Sequence, residues 1–122
     1  MAKKILVVDD SSMMRLALRG ALQESGYDVL EAIHGKEALE KLNSGESIGL
    51  IICDVNMPEM DGLTFVRAYR ARPELQFIPV LMMTTESDPA KKEEGKAAGV
   101  RAWMVKPFNK EVLLSAVSKL IC

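Results

Sequence analysis

The stretch Leu50-Ile51-Ile52-Cys53-Asp54-Val55-Asn56-Met57-Pro58-Glu59-Met60-Asp61-Gly62 decides how this chain is read. An apolar run of strand length ends abruptly in a carboxylate, Asp54. A loop built round Pro58 and Asp61-Gly62 follows. Strands of a parallel sheet, buried on both faces, read as continuous apolar runs of this kind. An acid at the tip of such a strand is costly to ionise unless something compensates it.

Working outward from this strand, strand signals alternate with helix signals. Residues 4–8 (KILVV) form a short β-branched run. Residues 12–25 carry Met13, Leu16, Ala17 and Ala21 at helical spacing, and Gly26 is a C-terminal stop. Residues 27–32 alternate like a second strand, and residues 35–43 form a short amphipathic helix. Residues 50–53 are the third strand. Residues 62–71 read as a helix stopped by Pro73, and residues 78–83 as the fourth strand. Ser87-Asp88-Pro89 is a helix start, and Gly99 ends that helix after Ala98. Residues 101–105 are the fifth strand. Asn109 caps a last helix over 110–121, with Val112, Leu113, Val117 and Leu120 on one face.

This βαβαβαβαβα order predicts an α/β fold with a five-stranded parallel sheet covered on both faces. Right-handed crossovers leave few topologies. The 122 residues suit one compact domain spanning 1–122, with no linker or repeat and no second, effector domain. Apolar residues make up 48% and charged ones 27%, an ordinary globular balance. A net charge of -1 gives no electrostatic reason to expect nucleic acid or an anionic membrane as partner. Cys53 and Cys122 lack metal-ligand spacing and read as free thiols in a reducing compartment. The N-terminus is basic then apolar, but acids interrupt it after Val8, unlike a signal peptide. No apolar run has the length of a membrane span, so the expectation is a cytoplasmic protein. Met13, Met14, Met82 and Met83 read as core filler.

In open parallel sheets, chemistry gathers beyond the carboxyl ends of the strands. Strand one ends in Asp9-Asp10, strand three in Asp54, strand four in Thr84-Thr85 and strand five in Lys106-Pro107. Each alone has a bland explanation: a helix cap, a turn residue, a strand end, an exposed lysine. Their convergence on one edge favours a site. In a doubly wound sheet of order 2-1-3-4-5, strands one and three are neighbours, which brings Asp9, Asp10 and Asp54 together. Carboxylates 4 Å apart repel by about 4 kcal/mol per pair at an effective dielectric near 20. Such a cluster needs protons, a lysine or a metal. Hard carboxylate oxygens suit Mg²⁺, which favours phosphate as a further ligand, and Lys106 adds a second cation. Two cations round an unencumbered carboxylate suggest a nucleophile that accepts a phosphoryl group, with Thr84 donating to one of its oxygens.

The set Asp9-Asp10, Asp54-Val55-Asn56-Met57-Pro58-Glu59-Met60-Asp61-Gly62, Thr84 and Lys106-Pro107-Phe108, in that order, resembles the receiver domain of bacterial response regulators. The resemblance covers the whole chain and is nearest to the stand-alone chemotaxis regulators. It implies the flavodoxin-like (βα)5 fold. The strand order 2-1-3-4-5 rests on it too, since chemotaxis receivers are a standard example of that order.

The resemblance further implies a two-component switch. Asp54 would be phosphorylated by a sensor histidine kinase. Asp10, Asp54 and the Asn56 carbonyl would hold Mg²⁺, with Asp9 acting through water. Lys106 would bind the phosphoryl group and Thr84 would follow it. An aromatic residue on strand five turns inward in such domains; here it is Trp103, where the family usually carries a smaller ring. Asn56 and Glu86 match positions that tune loss of the phosphoryl group. The expected protein is a monomeric phosphoacceptor switch rather than an enzyme. Its output face would be helix four, strand five and helix five, near Lys91, Lys92, Trp103 and Lys110. A phosphorelay intermediate or a phosphate sink remain open alternatives. An aspartate-nucleophile phosphatase of the haloacid-dehalogenase type is remote, because Asn56 stands where its general acid-base would be.

Overall fold

A computed structural model describes residues 3–45, 47–57, 60–84 and 89–121. Strands and helices alternate: β1 (Lys4–Val8), α1 (Ser12–Glu24), β2 (Asp28–Ala32), α2 (Gly35–Leu42), β3 (Ile48–Asp54), α3 (Gly62–Arg70), β4 (Val80–Thr84), α4 (Pro89–Ala98), β5 (Ala102–Val105) and α5 (Lys110–Leu120). The sheet order is β2-β1-β3-β4-β5, and every pairing is parallel.

Strand alternation splits the core in two. Leu6, Val8, Ile51, Cys53, Val80 and Met82 face α2 and α3, where Ala38, Leu42, Val66 and Tyr69 meet them. Ile5, Val7, Leu50, Ile52, Leu81 and Met83 face α1 and α5, against Leu18, Leu22, Leu113 and Val117. Burial on both sides explains why β3 reads as an unbroken apolar run. Met82 and Met83 are core residues on opposite faces, as expected.

Several details correct the sequence reading. Met13 is 81% exposed and Leu16 71%, so Met13 is not core filler. The sheet takes the neighbouring stripe of α1, Leu18, Ala21 and Leu22, with Met14 packed at its edge. Periodicity alone cannot choose between two apolar stripes on one helix. Val112 is likewise exposed, while Leu113 and Val117 of the same face are buried. β3 begins at Ile48 because Gly49 is absorbed as a register irregularity: Lys4 pairs with Ile48, but Ile5 pairs with Leu50. β4 begins at Val80, since Pro79 has no N–H to donate. The expected helix start at Ser87-Asp88 lies outside the described residues, as do Thr85, Glu86 and Cys122.

The punctuation was well placed. Gly26 (φ 90°) and Gly99 (φ 100°) follow α1 and α4 in the left-handed region. The Asn109 side chain accepts from the Val112 N–H at 3.0 Å. That bond satisfies one orphan donor of α5. Replacing Asn109 with Ala is expected to lower stability by about 1 kcal/mol. In urea denaturation this appears as a lower midpoint with an unchanged slope.

Candidate functional site

The carboxyl ends of β1, β3, β4 and β5 converge on one edge. Val8 pairs with Cys53, so the residues that follow, Asp9 and Asp54, stand side by side. Asp54 is itself the last residue of β3 and pairs with Met83, which fixes its backbone rigidly. Thr84 ends β4, and its carbonyl accepts from the Lys106 N–H at 2.7 Å. Asp9, Asp54 and Thr84 are the buried polar residues of the described chain. Asp10 is exposed.

Oxygen atoms of Asp9, Asp10 and Asp54 all lie within 4.8 Å of one another, a spacing one cation could bridge. The donors are all hard oxygens, which fits a small divalent ion such as Mg²⁺. Lys106 reaches across from the end of β5. Its Nζ stands 2.8 Å from Asp9 Oδ2 and 3.4 Å from Asp54 Oδ2. Asp9 is thus the closer partner of this lysine.

Asp9 is also saturated. Its N–H donates to the Ala32 carbonyl at 3.1 Å. Its Oδ1 accepts from the Ser11 N–H at 2.9 Å, and its carbonyl accepts from Arg15 Nη1 at 2.7 Å. With Lys106 on Oδ2, each polar group of Asp9 has a protein partner.

Burial pushes the pKa of Asp54 up, and the charge of Asp9 pushes it further. Lys106 and a backbone hydrogen bond from Asn56 pull it partly back. Burial disfavours the charge on Lys106, but its hydrogen bond to Asp9 and the charges of Asp54 and Asp9 leave its pKa raised. Cys53, next in chain, is a buried thiol whose pKa is pushed well up, first by burial and then by Asp54. Its Sγ–H donates to the Asp54 carbonyl at 3.2 Å.

Gly62 explains how α3 can begin so close to this site. Its N–H donates to the Val55 carbonyl at 2.9 Å. A Cβ there would collide with the Asp54 carbonyl oxygen.

Trp103 pairs with Met82 across β4 and β5 and packs against the α2–α3 core. Thr84 lies two residues beyond Met82, so alternation places it on the same face. The indole lies against α4 at Gly95. A Cβ at Gly95 would overlap the ring, with Nε1 only 3.3 Å away. Sequence reasoning missed Gly95. The available signal was a glycine inside a helix, which costs about 1 kcal/mol relative to alanine and invites a packing reason.

Of the lysines expected on the output face, Lys110 instead turns toward α1. Its Nζ pairs with Glu24, beside Ala17, Gly20 and Phe108. Lys92 is exposed and Lys91 half-buried. A shallow groove of about 470 Å³ runs along α5 past Ala102, Val112 and Ala116, flanked by Glu111 and Lys119. Glu86 falls outside the described residues. No described helix is long and apolar enough to cross a membrane.

A family profile described as "Response regulator receiver domain" matches residues 5–118. The chain belongs to the response regulator receiver family. The chemotaxis protein CheY1 of Helicobacter pylori is 48% identical over 111 residues, covering 90% of this chain and 90% of that protein. A CheY homologue of Campylobacter jejuni is 45% identical over 111 residues, covering 90% of this chain and 85% of the relative. Among solved structures, Vibrio cholerae chemotaxis protein CheY4 superposes with a TM-score of 0.93 at 46% identity, covering 98% of this chain and 99% of that one. The receiver is therefore of the CheY type over its whole matched length, and its fold is the one these neighbours share.

The raised pKa of Asp54 sets a signed expectation for this receiver. Between the unfolded value, about 3.9, and the higher folded value, the folded state binds more protons. Stability therefore falls as pH rises through that window, and ionised Asp54 costs stability at neutral pH. In EDTA at pH 7.5, Asp54→Asn is expected to be more stable than wild type. The advantage should shrink as pH falls toward 4. Urea midpoints at both pH values check this, and a less stable variant at pH 7.5 contradicts it.

Proposed function

We propose that this receiver is a phosphorylation-activated switch of a two-component pathway, acting as a monomer in the cytoplasm. The carrying observation is the Asp54 carboxylate, fixed on a strand tip and grouped with Asp9, Asp10 and Lys106 within one small cluster. A carboxylate oxygen of Asp54 attacks the phosphorus of a phosphohistidine on a sensor kinase. The new O–P bond forms as the N–P bond breaks, and the electron pair leaves with the imidazole.

Asp10, Asp54 and the Asn56 carbonyl are the residues that would hold Mg²⁺, with Asp9 acting through water. The full hydrogen bonding of Asp9 supports that indirect part. When bound, the ion supplies positive charge to the transferring oxygens. Lys106 pairs with the phosphoryl group, moving from Asp9 toward Asp54. Thr84 donates its hydroxyl to a phosphoryl oxygen. Trp103, on the same face, reports the movement of Thr84. Asn56 and Glu86 stand at positions that tune hydrolysis of the acyl phosphate.

The CheY-named relatives point to a chemotaxis pathway, with a protein target engaging α4, β5 and α5. The net charge of -1 argues against nucleic acid or membrane as that target.

Intact mass after incubation with acetyl phosphate tests the reading. Wild type with Mg²⁺ should gain one phosphoryl group. Asp54→Asn, or wild type in EDTA, should gain none. An adduct that persists in Asp54→Asn would place the acceptor elsewhere and sink the assignment. Thr84→Ala should still gain the phosphoryl group but lose the accompanying change in Trp103 emission. A full emission change in that variant would remove Thr84 from the switch.

A further inference from the structure

The geometry points to Arg15 as the positioning residue that aims the Asp9-Asp10 pair, an inference that rests on the metal-binding reading above. Asp10 is exposed, and no side-chain partner among the described residues is recorded for its carboxylate. Its direction is therefore set by the backbone that carries it. The peptide plane joining Asp9 to Asp10 contains the Asp9 carbonyl, and Arg15 Nη1 holds that oxygen at 2.7 Å. Rotating this plane would change where the Asp10 carboxylate points relative to Asp54.

Arg15 is itself held. Its Nε donates to Glu31 Oε1 at 3.1 Å, and the side chain is only 16% exposed. Glu31 stands on β2, the strand paired with β1, where Glu31 faces Val7. The guanidinium thus ties α1, β2 and the acidic loop together through two separate N–H groups. Its fork geometry allows this, and a lysine ammonium offers no such planar pair.

Arg19 provides an internal control. Its Nε lies 3.0 Å from Glu31 Oε2, and its Nη2 donates to the Val29 carbonyl. It shares Glu31 and α1 with Arg15 but reaches the Val29 carbonyl where Arg15 reaches that of Asp9. A merely structural role for this corner would make the two arginines equivalent. Partners behind metal ligands alter affinity by about 10–100-fold when removed.

The test is calorimetric titration of Mg²⁺ into wild type, Arg15→Ala, Arg15→Lys, Glu31→Gln and Arg19→Ala, with melting temperatures recorded in EDTA. Arg15→Ala should bind Mg²⁺ about tenfold or more weakly. Arg15→Lys should recover only part of that loss, and Glu31→Gln should show a smaller one. Arg19→Ala should stay close to wild type, because its guanidinium reaches the Val29 carbonyl rather than that of Asp9. Equal affinity in Arg15→Ala and wild type would overturn the inference while leaving the metal site standing. Equal losses in Arg15→Ala and Arg19→Ala would overturn it in favour of general loosening of α1. Wild type that binds no Mg²⁺ would defeat the metal reading itself, and the inference with it.

Discussion

The ammonium of Lys106, shared between Asp9 and Asp54, is the contact on which this molecule turns. Three carboxylates meet there against one lysine. Pairwise repulsion of about 4 kcal/mol at close range would consume much of a domain's stability of about 5–15 kcal/mol. The sheet order enforces the meeting, because β1 and β3 are neighbours and both are locked by apolar layers on either side. The cluster is therefore held short of positive charge by the fold itself. Such a shortage favours any further positive charge brought to this edge.

The sequence announced this site because it broke its own local rule. A carboxylate at the end of a strand buried on both faces is costly to ionise, and Asp54 stands there beside other polar strand ends on the same edge. Strand positions were legible for a related reason: burial on both faces writes them as apolar runs. Turn chemistry was legible at Gly26, Gly99 and Asn109, where one backbone or capping requirement selects the residue.

What escaped reading depended on docking angle. α1 carries two apolar stripes, and only the assembled sheet chooses Leu18 and Leu22 over Met13 and Leu16. Lys110 could serve either neighbour of α5, and the pairing with Glu24 decides for α1. Arg15 reads in sequence as a solvated arginine on an amphipathic helix. It becomes a clamp on the Asp9 carbonyl only once α1 lies against β1 and β2 at this particular rotation.

Helix α4 is held differently from the other four helices. Its buried residue is Gly95, so it contributes a notch rather than a large side chain, and the Trp103 indole supplies the packing from β5. The Arg67–Glu94 pair beside it is half-exposed on both sides and adds at most about 1 kcal/mol. The ring is one support of α4, and Ala98 packs against the same core. Thr84 shares the ring's face and ends the strand that pairs with β5. Shifting a two-state equilibrium from a few per cent to dominance takes only a few kcal/mol, about the scale of one new charge-assisted contact. The ring lies against α4 at Gly95, so helix and ring cannot shift independently of one another.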